Sequence, residues 1–418
     1  MSLPQEISYD FSAPSQVVFG WGRRREVGGL ARSLGRRAFV VCGSQTLETN
    51  GILDEIGRSL RESGVESVRA ATISREPLVE DVDRSLKFLR EQRAGPGDLL
   101  LAVGGGSAID LAKATGAVIT QASTASVLEY LEGVGTGLKI VDTPLPVLAM
   151  PTTAGTGSEA TRNAVISSSN PPFKKSLRSN LMVPRIALID PELTVSVPPH
   201  ITAWTGMDAI TQLLESYISR RATPATQHIS LRGLELAFAS LGEAFCNGQS
   251  HPAREAMAQA ALLSGMALAN SGLGMAHGVA AALGVHCQVP HGLACAIMLP
   301  ATLQTNMGAE GIEMKFGMIG ALMHHSNRLP TEAASDVMTA EHEISSDGEI
   351  RLRQYAQEVV PHIEGLLNEL KIPRRLSEVG VRRAQIPDIV RDSRGNSMSG
   401  NPRTLSDDEL TRILENLL

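Results

Sequence analysis

Residues 98–110 read DLLLAVGGGSAID, an apolar run that passes through three glycines into a helical pattern. An uninterrupted apolar run of this length bounded by glycine reads as a strand buried on both faces. Gly104, Gly105 and Gly106 let the backbone approach a ligand closely, and Ser107 stands where the free N–H groups of a helix start welcome negative charge. The same segment could equally be a tight structural turn, and a glycine cluster alone does not separate the two.

The pattern repeats on either side. Residues 36–42 (RRAFVVC), 146–151 (PVLAMP) and 185–191 (RIALIDP) read as further buried strands, and 52–64 and 82–90 carry helical patterns. Continuous apolar strands separated by helices predict a parallel sheet covered on both faces. Strand signals stop near Val197, and the remainder is helical to the C-terminus. The expected organisation is therefore an α/β domain over residues 1–197 and an all-helical domain over 198–418. Residues 324–350 are polar and irregular and are expected to form a surface excursion.

A second loop, PTTAGTGSE at 151–159, also follows an apolar strand and offers Thr152, Thr153, Thr156 and Ser158. Hydroxyls with small neighbours at the carboxyl ends of parallel strands suit ribose and nicotinamide contacts; a capped helix start is the plainer reading.

Residues 256–309 contain no Asp, Glu, Lys or Arg. Asn270, His277, His286, Gln288, Pro290 and His291 interrupt the stretch, so it reads as a buried helical core and not as a membrane span, which needs about 20 apolar residues in succession. His277 and His291 lie within it. Asp208 and Gln212, spaced i, i+4, share one face of another helix. A single histidine in an apolar segment is usually a core residue. Two of them, with an aspartate heading a separate helix, make an oxygen–nitrogen set suited to Fe²⁺ or Zn²⁺ with a position left open. His286 competes weakly for such a role.

Bulk properties narrow the class. A net charge of −6 and 3% aromatic residues argue against a nucleic-acid partner. Cys42, Cys246, Cys287 and Cys295 are scattered without a CxxC pair, which reads as reduced intracellular thiols and not as a disulfide frame or a thiolate zinc site. The segment MSLPQEISYDF lacks the basic patch and apolar run of a signal peptide. A cytoplasmic protein without a membrane partner is expected.

Together GGGSAID (104–110), PTTAGTGSE (151–159), TGMDA (205–209), the HG at 277–278, the PHG at 290–292, FGWG (19–22) and GNPR (400–403) resemble the iron-containing, group III, alcohol dehydrogenases, across the whole chain and in that family's order. The resemblance implies a Rossmann-like N-terminal domain, a helical C-terminal domain, an active site in the cleft between them and commonly a homodimer. It implies pyrophosphate contacts at Gly104, Gly105, Gly106 and Ser107, and other cofactor contacts at Asp110, Thr152, Thr153 and Lys174. It also implies metal ligation by Asp208, His277 and His291.

Two positions depart from the family pattern. Gln212 stands where the family's fourth ligand is a histidine, which leaves an amide as a weak fourth ligand or a holder of metal-bound water. Ala281 stands where many members carry a further histidine. After the strand ending at Cys42 come Gly43 and Ser44, with no acidic residue until Glu48. Rossmann folds that prefer NAD usually offer an acid there, so NADP(H) is favoured over NAD(H). The expected function is metal-dependent hydride transfer between NAD(P)(H) and a small alcohol or aldehyde. Two other readings remain open: a metal-free enzyme similar to maleylacetate reductases, and a nucleotide-binding protein without catalysis.

Overall fold

Six strands, all parallel, form one sheet in the order β1-β8-β5-β4-β2-β3. They are β1 Gln16–Phe19, β2 Arg37–Cys42, β3 Glu66–Thr72, β4 Asp98–Gly104, β5 Val147–Pro151 and β8 Ile186–Ile189. An antiparallel hairpin, β6 Asn163–Ser169 with β7 Pro172–Arg178, stands apart from the sheet. The computed structural model of the protein describes residues 8–43, 45–122, 126–325 and 346–418.

The apolar strand runs explain the two-sided sheet. Phe39, Val41, Leu100, Ala102 and Ala149 belong to one buried cluster, while Ala38, Val40, Leu99, Leu101, Val103, Leu148 and Met150 belong to another. Alternate residues of each strand thus feed opposite faces, as the two-residue period requires. Helices α1 (Val27–Leu34), α2 (Thr46–Thr49), α3 (Ile52–Glu62), α4 (Val79–Glu91) and α5 (Gly106–Val118) connect the strands.

Chain order reverses between β2 and β4: β3 lies outside β2, and β5 lies on the far side of β4. Ligands of open α/β sheets sit at such a switch point, beyond the carboxyl ends of the strands. Gly43 and Gly104 face each other there. A Cβ on Gly104 would fall 2.8 Å from the Gly43 Cα, so the two turns approach only because both residues lack side chains.

From Pro199 onward every described α or 3₁₀ element is helical, with α6 Pro199–Ile218, α7 Pro224–Cys246, α8 His251–Ser271, α9 Met275–Cys287, α10 His291–Asn306, α11 Ile312–His325, α12 Ser346–Glu369, α13 Ile386–Asp392 and α14 Asp407–Asn416. The charge-free segment 256–309 supplies much of α8 and all of α9 and α10, whose inner faces meet in one large apolar cluster. Among the described residues no single helix is long and apolar enough to cross a membrane; α8 and α9 pass that test only as a pair bent by 101°. Of the expected excursion at 324–350, residues 326–345 lie outside the described residues.

The expected strands and helices recur within a few residues of their anticipated limits, but Asp208, expected to head its helix, lies in the middle of α6 because that helix starts at Pro199. The hairpin, β3 and the four-residue β1, QVVF, were not anticipated. β3 reads ESVRAAT and β6 ends in three serines, so neither offers the apolar run that marks the central strands.

Candidate active site and metal centre

The loop after β4 forms the helix start of α5, with Gly105 as its N-cap in extended conformation. The second loop leaves β5 beside it: the Thr152 N–H donates to the Gly104 carbonyl at 3.0 Å, and Thr156 packs against Gly106. Gly105, Gly106, Ser107, Thr153 and Thr156 line a cavity of about 750 Å³. Gly43, Gly104 and Thr152 are not on that lining; they hold the two turns together beneath it. Ser44 lies outside the described residues.

Asp110 lines the same cavity, but its carboxylate is already engaged. It accepts from the Ser158 hydroxyl and, at 2.8 Å, from the Val165 N–H, and Lys113 Nζ lies 3.1 Å away. Lys113 is fully buried and also donates to Thr161 Oγ1 and the Ser158 carbonyl. This network ties α5 to the second loop and to β6. Lys174 projects from β7 into the cavity and forms an ion pair with Glu76. Burial pushes the Glu76 carboxyl up, yet the Lys174 ammonium outweighs it and holds Glu76 below the ordinary carboxylate range.

The opposite wall comes from the helical half. Asp208 and Gln212 lie on α6, His277 in the first turn of α9 and His291 at the start of α10, and all four line the cavity. Gly292 sets the approach of α10 to α6: a Cβ there would fall 2.4 Å from the Trp204 carbonyl oxygen. His277 Nε2 lies 3.2 Å from Asp208 Oδ1, and His291 Nε2 lies 3.9 Å from the same oxygen. The imidazole rings are 5.4 Å apart at their centroids, edge to face.

Electrostatics follow from the burial. Desolvation pushes Asp208 up, but the His277 hydrogen bond and the His291 ring overcome it, and the carboxyl sits below its usual range. Burial and the nearby Lys174 charge lower His291 to about 4, so its imidazole is neutral and free to act as a donor ligand. His277 is raised well above the ordinary histidine value; burial opposes this, and its contacts with Cys295, Asp208 and Glu215 prevail.

Glu215, seven residues after Asp208 on α6, went unnoticed in the sequence. It accepts from the backbone N–H of Ala276 at 2.7 Å, and its Oε2 lies 2.7 Å from His277 Nδ1. A carboxylate behind a histidine fixes the tautomer that leaves Nε2 available to a metal. Cys295, read from the sequence as one of four scattered thiols and not as part of a metal site, stands beside the cluster, one helical turn after His291. Its Sγ lies 3.8 Å from His291 Nε2, and donor atoms of Asp208, His277, His291 and Cys295 all lie within 4.8 Å of one another.

Gln212, expected as a weak fourth ligand or a holder of metal-bound water, lines the cavity beside Asp208. Its Oε1 accepts from Ser264 Oγ at 2.9 Å, which turns the oxygen toward α8. His286 is held by Asp392 at 2.7 Å and is not on the cavity lining. Ala281 lines the cavity without a polar group.

The donor set fits a divalent ion. About 2.0–2.1 Å bonds to nitrogen and oxygen in tetrahedral array place neighbouring donors about 3.3 Å apart, close to the observed Asp208–His277 separation. The profile described as "Iron-containing alcohol dehydrogenase" matches residues 14–191, and the one described as "Fe-containing alcohol dehydrogenase family, C-terminal" matches residues 202–418.

The chain belongs to the iron-containing alcohol dehydrogenase family.

Several relatives match over nearly their whole length. A 1,3-propanediol dehydrogenase of Klebsiella pneumoniae is 30% identical over 97% of this chain and 97% of its own. An NAD-dependent methanol dehydrogenase of Bacillus methanolicus is 28% identical over 98% of this chain and 100% of its own. The crystal structure of sulfoacetaldehyde reductase from Bifidobacterium kashiwanohense in complex with NAD⁺ superposes with a TM-score of 0.80 at 27% identity, covering 99% of each chain. As a member of the iron-containing alcohol dehydrogenase family the chain is an oxidoreductase of the alcohol dehydrogenase class.

Proposed function

We propose that this chain interconverts a small alcohol and its aldehyde, with Asp208, His277 and His291 holding the metal and the loops at 104–107 and 151–158 holding NAD(P)(H). The observation that carries the reading is the shared cavity: the glycine and threonine loops form one wall and the Asp–His–His cluster the other. A divalent metal there would supply a Lewis acid for the substrate oxygen, and a nicotinamide would supply or accept the hydride.

The chain's own residues do the positioning. Gly105, Gly106 and Ser107 present the start of α5 to the pyrophosphate. Thr153 and Thr156 offer hydroxyls further along the cavity, and Lys174 supplies a buried cation paired with Glu76. Gly43, Gly104, Asp110 and Thr152 act beneath these contacts, by keeping the two loops in register. Gln212 takes a supporting place beside Asp208 and is not counted among the ligands.

NADP(H) remains the preferred cofactor in this reading. Gly43 has no side chain to repel a 2′-phosphate, and Glu48, the first acid after β2, forms an ion pair with Arg69 at 2.9 Å. The four cysteines, all free, support a cytoplasmic setting. A homodimer and a division into units 1–197 and 198–418 complete the proposal; the profile limits at 191 and 202 support that boundary.

The test is metal content of the purified protein by mass spectrometry, with NADPH- and NADH-dependent reduction of a short aldehyde panel before and after chelation. Near-stoichiometric metal and chelator-sensitive turnover are expected. Turnover by a metal-free protein would replace the proposal with the maleylacetate reductase-like reading. Cofactor binding without turnover on any aldehyde would replace it with the non-catalytic one.

A further inference from the structure

Three donors from three helices do not close a coordination sphere. Gln212, an amide beside Asp208, offers a poorer donor than imidazole or thiolate, and its Oε1 lies 2.9 Å from the Ser264 hydroxyl. Among the described residues, the thiol of Cys295 converges on Asp208, His277 and His291. It is fully buried and sits one helical turn beyond His291 on α10, so both project from the same face toward α6. With metal–nitrogen bonds of about 2.0–2.1 Å and a metal–sulfur bond of about 2.3 Å, a tetrahedral pair lies about 3.5 Å apart; Cys295 Sγ and His291 Nε2 are 3.8 Å apart.

The direction of approach matters as much as the distance. Asp208, His277 and His291 line the cavity, whereas Cys295 does not. The sulfur comes from the closed side of the cluster, behind the face that opens to the two loops.

We propose that Cys295 is a fourth metal ligand, bound as a thiolate from the closed side, so that this chain carries an Asp–His–His–Cys site with its open face toward the cofactor. Binding replaces the thiol proton, which is released to solvent, by a metal–sulfur bond. A thiolate also biases the site toward Zn²⁺, Co²⁺ or Fe²⁺ and away from Mg²⁺ or Mn²⁺. The inference rests on the metal reading above and is tested separately from it.

The experiment is cobalt substitution of the full-length protein, read by absorption and not by turnover. Co²⁺ bound by the parent should show a thiolate-to-cobalt charge-transfer band in the near ultraviolet. Cys295→Ser should still bind Co²⁺, without that band and at least about tenfold more weakly, the lower end of what losing a mere supporting contact costs. Cys295→Ala, which leaves neither thiol nor hydroxyl, should behave the same, and Cys287→Ser should keep the band. Stoichiometric Co²⁺ without a charge-transfer band in the parent would overturn the thiolate ligand while leaving the three-ligand site standing. A band that persists in Cys295→Ser would overturn it also. Failure of the parent to bind Co²⁺ at all would overturn both proposals together.

Discussion

Glu215 Oε2 and His277 Nδ1 lie 2.7 Å apart, both nearly without solvent exposure, on helices whose sequence positions are 62 residues apart. The same carboxylate caps the first turn of α9 through the backbone N–H of Ala276. One side chain therefore fixes both the helix that carries His277 and the ring orientation that turns Nε2 toward Asp208.

Glu215→Gln should separate these duties from metal ligation itself. The variant retains one acceptor but sets a donor against His277 Nδ1–H or the Ala276 N–H. Metal affinity is expected to fall about 10–100-fold, measured by chelator competition, with activity restored by excess metal. Unchanged affinity would show that His277 is oriented by packing alone.

Removing the ligand has a sharper signature. His277→Ala should lose metal and turnover together, whereas NADPH quenching of the intrinsic fluorescence should be retained, because the pyrophosphate loop lies on the other wall of the cavity. Full activity in this variant would refute the metal assignment.

Gly292→Ala tests the helix approach that places His291. The added Cβ would meet the Trp204 backbone oxygen at 2.4 Å, and backbone cannot move aside as a side chain can. A loss of about 1–3 kcal/mol is expected from overpacking, seen in denaturant unfolding, together with weaker metal binding as α10 shifts. A variant as stable as the parent would mean that α6 and α10 slide apart freely.

Glu159 predicts a pH dependence of stability. Burial pushes its carboxyl up to about 7, although its own backbone hydrogen bond and Lys113 pull the other way. An unfolded glutamate titrates near 4.3. Between these values the folded chain holds a proton that the unfolded chain has released, so the folded state loses stability as pH rises toward 7, by on the order of 3 kcal/mol. Glu159→Gln does not titrate. The melting temperature of the variant minus that of the parent should therefore increase from about pH 5 to about pH 8. Parallel profiles would refute the assignment.

The sheet and its ligand-binding edge were legible because their signals are local. A run such as Leu99–Val103 reads as a buried strand wherever it lies, and the glycines after it mark the turn. The Asp208, His277 and His291 set was legible because a charge-free segment makes its few polar residues conspicuous. Glu215 and Cys295 were not, since a glutamate on a helix and a cysteine among apolar residues look ordinary until α6, α9 and α10 are packed. The Gln212 contact with Ser264 spans 52 residues and has no signature in spacing. The hairpin escaped notice for a different reason: β6 and β7 pair with each other outside the main sheet, so their sequence carries no sign of two-sided burial.

The GNPR segment at 400–403 has a consequence for how the enzyme is made. Asn401 Oδ1 accepts from the Met275 N–H at 3.2 Å and from Asn306 Nδ2 at 3.0 Å, and Asn401 Nδ2 donates to Asn306 Oδ1 at 2.9 Å. The last stretch of the chain thus latches the first turn of α9 and the end of α10, the helices bearing His277 and His291. On a translating ribosome, these helices emerge well before their latch. The arrangement of α9 and α10 that brings His277 and His291 together therefore depends on a contact made 126 residues after Met275, and it is complete only once that part of the chain has folded back onto them.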